Sequence, residues 1–134
     1  MEPLTGGCGC GAVRYAITAD FINSNYCHCT RCQRRTGTGW SINASVPPEG
    51  FEITQGAESI RTWRPEGGFS KSFCGECGSA LFSGGGDRPV GVRLGTLDSD
   101  PGVRPQYHQW VEVSPDWAAI PDDGLPRYPQ ARPS

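Results

Sequence analysis

The chain has 134 residues, with 19 Gly, 12 Pro and 7 Cys and a formal charge of −2 at pH 7, which is the size of one domain rather than two. Leu, Ile, Val and Phe together fill 23 positions, a thin core, yet the small net charge and 10% aromatic content exclude a disordered polyelectrolyte. The acidic balance argues against nucleic acid as the main ligand, and no run of about 18 apolar residues is present to cross a membrane as a helix.

Residues 1–7 lack a basic stretch followed by an apolar one, so no secretory leader is expected. The thiols are then expected in a reducing cytoplasm, where they bind metal or do chemistry rather than pair. Residues 13–17 alternate apolar and less apolar side chains, as a half-buried strand does. A short helix is predicted over Thr30–Thr36. Strand candidates follow at 40–46, 59–63, 69–73, 80–83, 90–94 and 107–111. Pro- and Gly-rich punctuation separates them at 47–50, 64–68 and 84–87. Strands at intervals of about ten residues predict a small, mainly β single domain, a sandwich or barrel-like sheet. Pro121, Pro126, Pro129 and Pro133 mark an extended tail from about residue 121.

Such a core needs staples, and three cysteine groups offer them: Cys8-Gly9-Cys10, Cys27-His28-Cys29-Thr30-Arg31-Cys32 and Cys74-Gly75-Glu76-Cys77-Gly78. In the third, Gly75 and Gly78 let the backbone turn tightly and aim N–H groups at the sulfurs, the form of a metal knuckle. A tetrahedral zinc needs two more ligands, which either of the other groups can supply. Three thiols within six residues suit an open site with a free fourth position. A partition of four plus three follows, but spacing alone fits Cys74 and Cys77 with either partner group. One zinc with the remaining thiols buried, or a dithiol redox pair, are the competing readings.

Arg31, Arg34 and Arg35 form a local basic cluster, read either as a carboxylate-binding patch or as a solvated turn that offsets thiolate charge. His28, between two thiols, is expected to turn away from them along extended backbone. His108 is read as packing, Trp40, Trp63, Phe82 and Trp110 as core or pocket wall, and Asp98, Asp100, Asp122 and Asp123 as loop solvation.

The segment Gly6-Gly7-Cys8-Gly9-Cys10-Gly11-Ala12-Val13-Arg14-Tyr15 resembles the opening of the glutathione-dependent formaldehyde-activating (GFA) family, shared with centromere protein V. The segment from Cys27 to Gly37 resembles its second motif and Phe73 to Ser79 its third. The stretch from His108 through Trp117 to Pro129 resembles the family's C-terminal end. The seven family cysteines are present in order, while Gln33 stands where many members carry Arg. The resemblance implies a β-tent type fold with a structural zinc on Cys8, Cys10, Cys74 and Cys77 and a second, catalytic zinc on Cys27, Cys29 and Cys32. It further implies a carbon–sulfur lyase that joins glutathione and formaldehyde as S-hydroxymethylglutathione, with glutathione as co-substrate and Arg31, Arg34 and Arg35 as candidates for its carboxylates. The expected partner is a small thiol or aldehyde, with neither nucleic acid nor membrane. Two further readings stand beside the enzyme: a non-catalytic zinc-binding interaction module of the same family, and a thiol reductase resembling methionine sulfoxide reductase B.

Overall fold

A computed structural model describes residues 2–133. In chain order the strands are β1 (Leu4–Gly7), β2 (Arg14–Ile17), β3 (Asn23–Cys27), β4 (Ser41–Val46), β5 (Phe51–Gln55), β6 (Ile60–Trp63), β7 (Lys71–Cys74), β8 (Ala80–Gly84), β9 (Val90–Arg93) and β10 (His108–Gln109). The α-helix α1 occupies Thr30–Thr36, as the sequence predicts. Its C-cap Gly37 takes φ 67°, a left-handed turn that glycine adopts without strain, and returns its N–H to the Gln33 carbonyl.

The strands form two sheets, β1-β2-β5 and β10-β3-β4-β9-β8-β7-β6. Neighbours are antiparallel except β10, which runs parallel to β3 with His108 opposite Tyr26 and Gln109 opposite Cys27. The core gathers Val13, Tyr15 and Ile17 from the small sheet and its lead-in with Val46, Leu81, Val90 and Val92 of the large one. Tyr15 is 1% exposed, and its hydroxyl meets Thr96 Oγ1 at 2.5 Å. The architecture is mainly β, as expected.

Three strands escape a reading by hydrophobic pattern. β1 is half glycine, and β3 opens with Asn-Ser-Asn, residues that on propensity belong in turns. Pairing overrides propensity in both, β3 being flanked by β4 on one side and β10 on the other. β5 does alternate at Phe51 and Ile53, but it follows the prolines at 47 and 48 too closely to stand out. The tail is extended and hydrogen-bonded. His108 N–H donates to the Pro126 carbonyl, Tyr128 N–H to that of His108 and Trp110 N–H to that of Gln130, at 2.9, 2.9 and 3.1 Å. It thereby continues the large sheet beyond its edge strand.

Candidate active site

Cys8 and Cys10 follow β1, whereas Cys74 closes β7 and Cys77 sits in the turn before β8. Their sulfurs all lie within 4.8 Å of one another. Cys8–Cys10 and Cys10–Cys74 stand 3.6 and 3.8 Å apart. Ligands of a tetrahedral zinc with bonds of about 2.3 Å stand about 3.8 Å apart, while a disulfide would bring its sulfurs to about 2 Å. The surrounding donors also fit thiolates. Val13 N–H points at Cys8 Sγ (3.2 Å) and Glu76 N–H at Cys74 Sγ (3.4 Å). Ser79 Oγ accepts from Gly9 N–H at 2.9 Å, which frees its own proton for Cys77 Sγ at 3.1 Å. That hydroxyl pulls the Cys77 thiol down to about 5. Gly78, at φ 81°, closes the knuckle by donating its N–H to the Cys74 carbonyl.

Cys27 ends β3, Cys29 caps α1 and Cys32 lies in its first turn. Their three sulfurs also fall within 4.8 Å of one another. Cys29 Sγ accepts from Cys32 N–H at 3.3 Å, the role a serine or aspartate oxygen plays at an ordinary N-cap. The neighbouring thiols of Cys27 and Cys32 pull Cys29 down to about 2, while the same clustering and burial push Cys27 far up. Sharing protons in this way holds one thiolate readily and three only with a cation present. Both clusters could therefore hold zinc, one with four thiols and one with three.

The three-thiol cluster opens onto a cavity of about 700 Å³, within the range of small-molecule sites. Its floor is one face of the large sheet. The register sets Lys71 opposite Ser83, Ser83 opposite Gly91 and Gly91 opposite Ser45, with Asn43 opposite Arg93 in the next row. The other face of the same strands carries Ala44, Val46, Val90 and Val92, all at most 2% exposed. A polar sheet face is thus turned inward, roofed by α1 and by the segment that carries Trp110 and Val113.

A directed hydrogen-bond chain crosses this floor to the thiols. Arg93 donates to Asn43 Oδ1 and to Ser83 Oγ, both at 2.6 Å. Arginine can only donate, so Asn43 faces it with its carbonyl and turns its amide to Ser41 Oγ at 2.9 Å. Ser41, having accepted, gives its proton to Cys32 Sγ at 3.1 Å. Every donor in the chain points toward the sulfur, which favours its charged form.

Of the arginines singled out in the sequence, Arg31 lines the cavity, its Nη1 donating to the Gly67 carbonyl at 3.0 Å. Arg34 and Arg35 line a separate, shallow hollow with Thr30, Arg31 and Trp63. Gln33 is spent on structure. Its amide nitrogen donates to the carbonyls of His28 and Val113, both at 2.9 Å, and ties α1 to the C-terminal segment.

His28 does turn away from the thiols. Its Nε2 meets His108 Nδ1 at 2.9 Å, and His108 Nε2 meets Asp123 Oδ2 at 2.8 Å. The carboxylate fixes the proton on His108 Nε2, so His108 Nδ1 accepts from His28 Nε2–H. Burial first, then the field of His108, lowers His28 to about 4 and keeps it neutral. Asp98, Asp100 and Asp123 are not merely solvated. Asp98 pairs with Arg14, Asp100 with Arg104, and Asp123 pins the tail to this histidine pair.

Comparisons with known proteins find a family model, relatives and a solved structure similar to this chain. A family model described as "Glutathione-dependent formaldehyde-activating enzyme" matches residues 3–113. A Halomonas elongata protein named "Putative glutathione-dependent formaldehyde-activating enzyme" is 32% identical across 87% of this chain and 80% of its own length. A Sordaria macrospora protein and an Emericella nidulans protein of the same name are each 24% identical, across 60% and 56% of this chain. The chain covers only 36% and 38% of those two fungal relatives. A crystal structure of a Rhodobacter sphaeroides protein superposes with a TM-score of 0.58 and 22% identity over 92% of this chain and 98% of its own, which shows a shared fold.

Proposed function

The chain belongs to the glutathione-dependent formaldehyde-activating enzyme family, and on that premise we propose that it makes and breaks the carbon–sulfur bond of a small thiol–aldehyde adduct of the S-hydroxymethylglutathione type. The observation that carries this reading is the difference between the two thiol clusters. Four sulfurs complete a tetrahedral site, whereas Cys27, Cys29 and Cys32 leave one position that faces a ligand-sized cavity. Zinc held by Cys27, Cys29 and Cys32 would supply the charge that lets a substrate thiol ionise near neutral pH.

In the synthetic direction the thiol sulfur attacks the aldehyde carbon. The S–C bond forms as the C=O π bond breaks, and the thiol proton ends on the former carbonyl oxygen. The lyase direction reverses each change. Cys27, Cys29 and Cys32 would hold the ion, and Ser41 would keep Cys32 as a charged acceptor through its directed O–H. Trp110 and Val113 line the cavity as its apolar side. Arg31 at its edge, with Arg34 and Arg35 beside it, would draw anionic thiols toward the mouth. Among the described residues no helix is long and apolar enough to cross a membrane. A cytoplasmic setting accords with this reading, since reduced thiols belong to a reducing compartment.

Thiols add to formaldehyde unaided, so the test is acceleration. Exchange spectroscopy on an equilibrium mixture of glutathione, formaldehyde and adduct should show faster interconversion with the zinc-loaded protein. Cys29→Ser and Cys32→Ser, folded by circular dichroism, should abolish the gain. Equal acceleration in those variants would remove the open site from the chemistry. No acceleration by the wild type with any thiol–aldehyde pair would leave a non-catalytic zinc-binding module.

A further inference from the structure

The cavity contains a second chemical feature on the same sheet floor, close enough for the thiols to act on both of its cations. Lys71 is 9% exposed, and among the described residues its ammonium makes no hydrogen bond and no ion pair. The ammonium stands over the Phe69 ring, 5.9 Å from its centroid. Ser83 stands opposite it in the register and accepts from Arg93, which places the two cations on either side of one hydroxyl. Among the described residues the hydrogen-bond partners of Arg93 are neutral, Asn43, Ser83 and the Gly91 carbonyl, and the thiols supply the negative field that reaches it. No Asp or Glu lines the cavity, and none forms an ion pair with Lys71 or Arg93 among the described residues. Burying a cation without a counter-charge is costly, and burial lowers the proton affinity of both groups.

The thiols account for part of that positive charge. Three thiolates around a divalent ion would carry one net negative charge, whereas Arg31, Lys71 and Arg93 bring three positive ones to the same lining. The lining is left two charges positive. A ligand with one thiolate and one carboxylate neutralises it.

We infer that Lys71, Arg93 and Ser83 form a carboxylate subsite, which takes the acid end of a thiol whose sulfur sits at Cys27, Cys29 and Cys32. This deepens the proposed function by assigning a binding role to the sheet floor, and it rests on the cavity being the substrate site. Arg31, Arg34 and Arg35 then act at the mouth. Lys71 and Arg93 select for negative charge inside, where screening by salt is weak.

The test separates the subsite from the metal. Glutarate, which has no thiol, and its neutral diamide are titrated into the full chain by calorimetry and by amide chemical shifts. Glutarate should bind and shift Lys71, Ser83 and Gly91, while the diamide should not. With zinc bound, 3-mercaptopropionate should bind about tenfold or more tighter than its neutral amide, and cysteamine should bind worst. Lys71→Met should erase this preference without weakening the amide, and Lys71→Arg should restore it. If Lys71→Met does not fold, Lys71→Gln against Lys71→Arg makes the same comparison. Equal binding of charged and neutral probes, an unchanged preference without Lys71, or tighter binding of inorganic phosphate than of any carboxylate would overturn the assignment. If glutarate binds but no thiol does, the subsite stands and the thiol chemistry falls.

Discussion

Tyr15 and Ser41 show how single hydroxyls set protonation and order in this molecule. Thr96 Oγ1 donates to the Arg93 carbonyl at 2.7 Å, so toward Tyr15 it accepts. Burial pushes the Tyr15 phenol up to about 12, above its unfolded value near 10. The unfolded chain therefore releases this proton first, and stability that is whole below pH 10 is lost as pH rises toward 12. Tyr15→Phe should cost about 1 kcal/mol at pH 7 and flatten the fall in urea midpoint between pH 10 and 12. An equally steep fall in the variant would assign that loss elsewhere. Ser41→Ala removes the last donor of the chain that runs from Arg93 through Asn43 to Cys32. Outer-shell donors of this kind change metal affinity by about 10–100-fold. Chelator competition should show that loss at the three-thiol cluster only, with the four-thiol cluster unchanged. Asn43 and Ser41 could have been found in the sequence, because Ser41, Asn43 and Ser45 alternate with Ile42, Ala44 and Val46. The alternation reads as a strand with a wet outer face, and nothing local says that this face is roofed. Lys71 and Arg93 are missed for the same reason, as single charges on strands ordinarily point to solvent.

At the scale of elements, α1 was legible because its boundaries are written locally. Cys29 caps its start and Gly37 its end. β3 was not, because its strand character comes from two partners distant in sequence. β10 has only two residues and stays in place through the tail behind it and through His108, which stacks on Tyr26 at 4.6 Å. Asp123 holds that arrangement by its bond to His108 Nε2, and this bond keeps the Asp123 carboxyl below its usual range. Asp123→Ala should leave the four-thiol cluster intact while hydrogen exchange accelerates at His108, Trp110 and Tyr128, the amides that join β10 to the tail. Unchanged exchange there would mean that the main-chain bonds alone suffice. The histidines were each readable as packing, but their meeting with Asp123 was not, since His28 and His108 lie 80 positions apart.

Across the whole molecule, the small apolar core and the four-thiol cluster share the work of joining two sheets. Cys10 and Cys74 are 64 positions apart, so a metal bound there would close a long loop as well as satisfy four thiolates. Cys77→Ser should therefore lower or abolish the cooperative thermal transition, whereas Cys29→Ser should leave far-UV circular dichroism native and the transition cooperative. The cysteine spacings made both clusters visible, and the family resemblance chose between the pairings that spacing left open. On the proposed function this fold would hold two zinc ions of different kind, one closed and one open to the cavity. The direct measurement is zinc per chain by elemental analysis, on wild type and Cys29→Ser purified without chelator or affinity-tag metal. Two per chain in the wild type, falling to one in the folded variant, is the predicted result. One per chain in both, with no second equivalent taken up on zinc addition, would contradict the open site and the chemistry built on it.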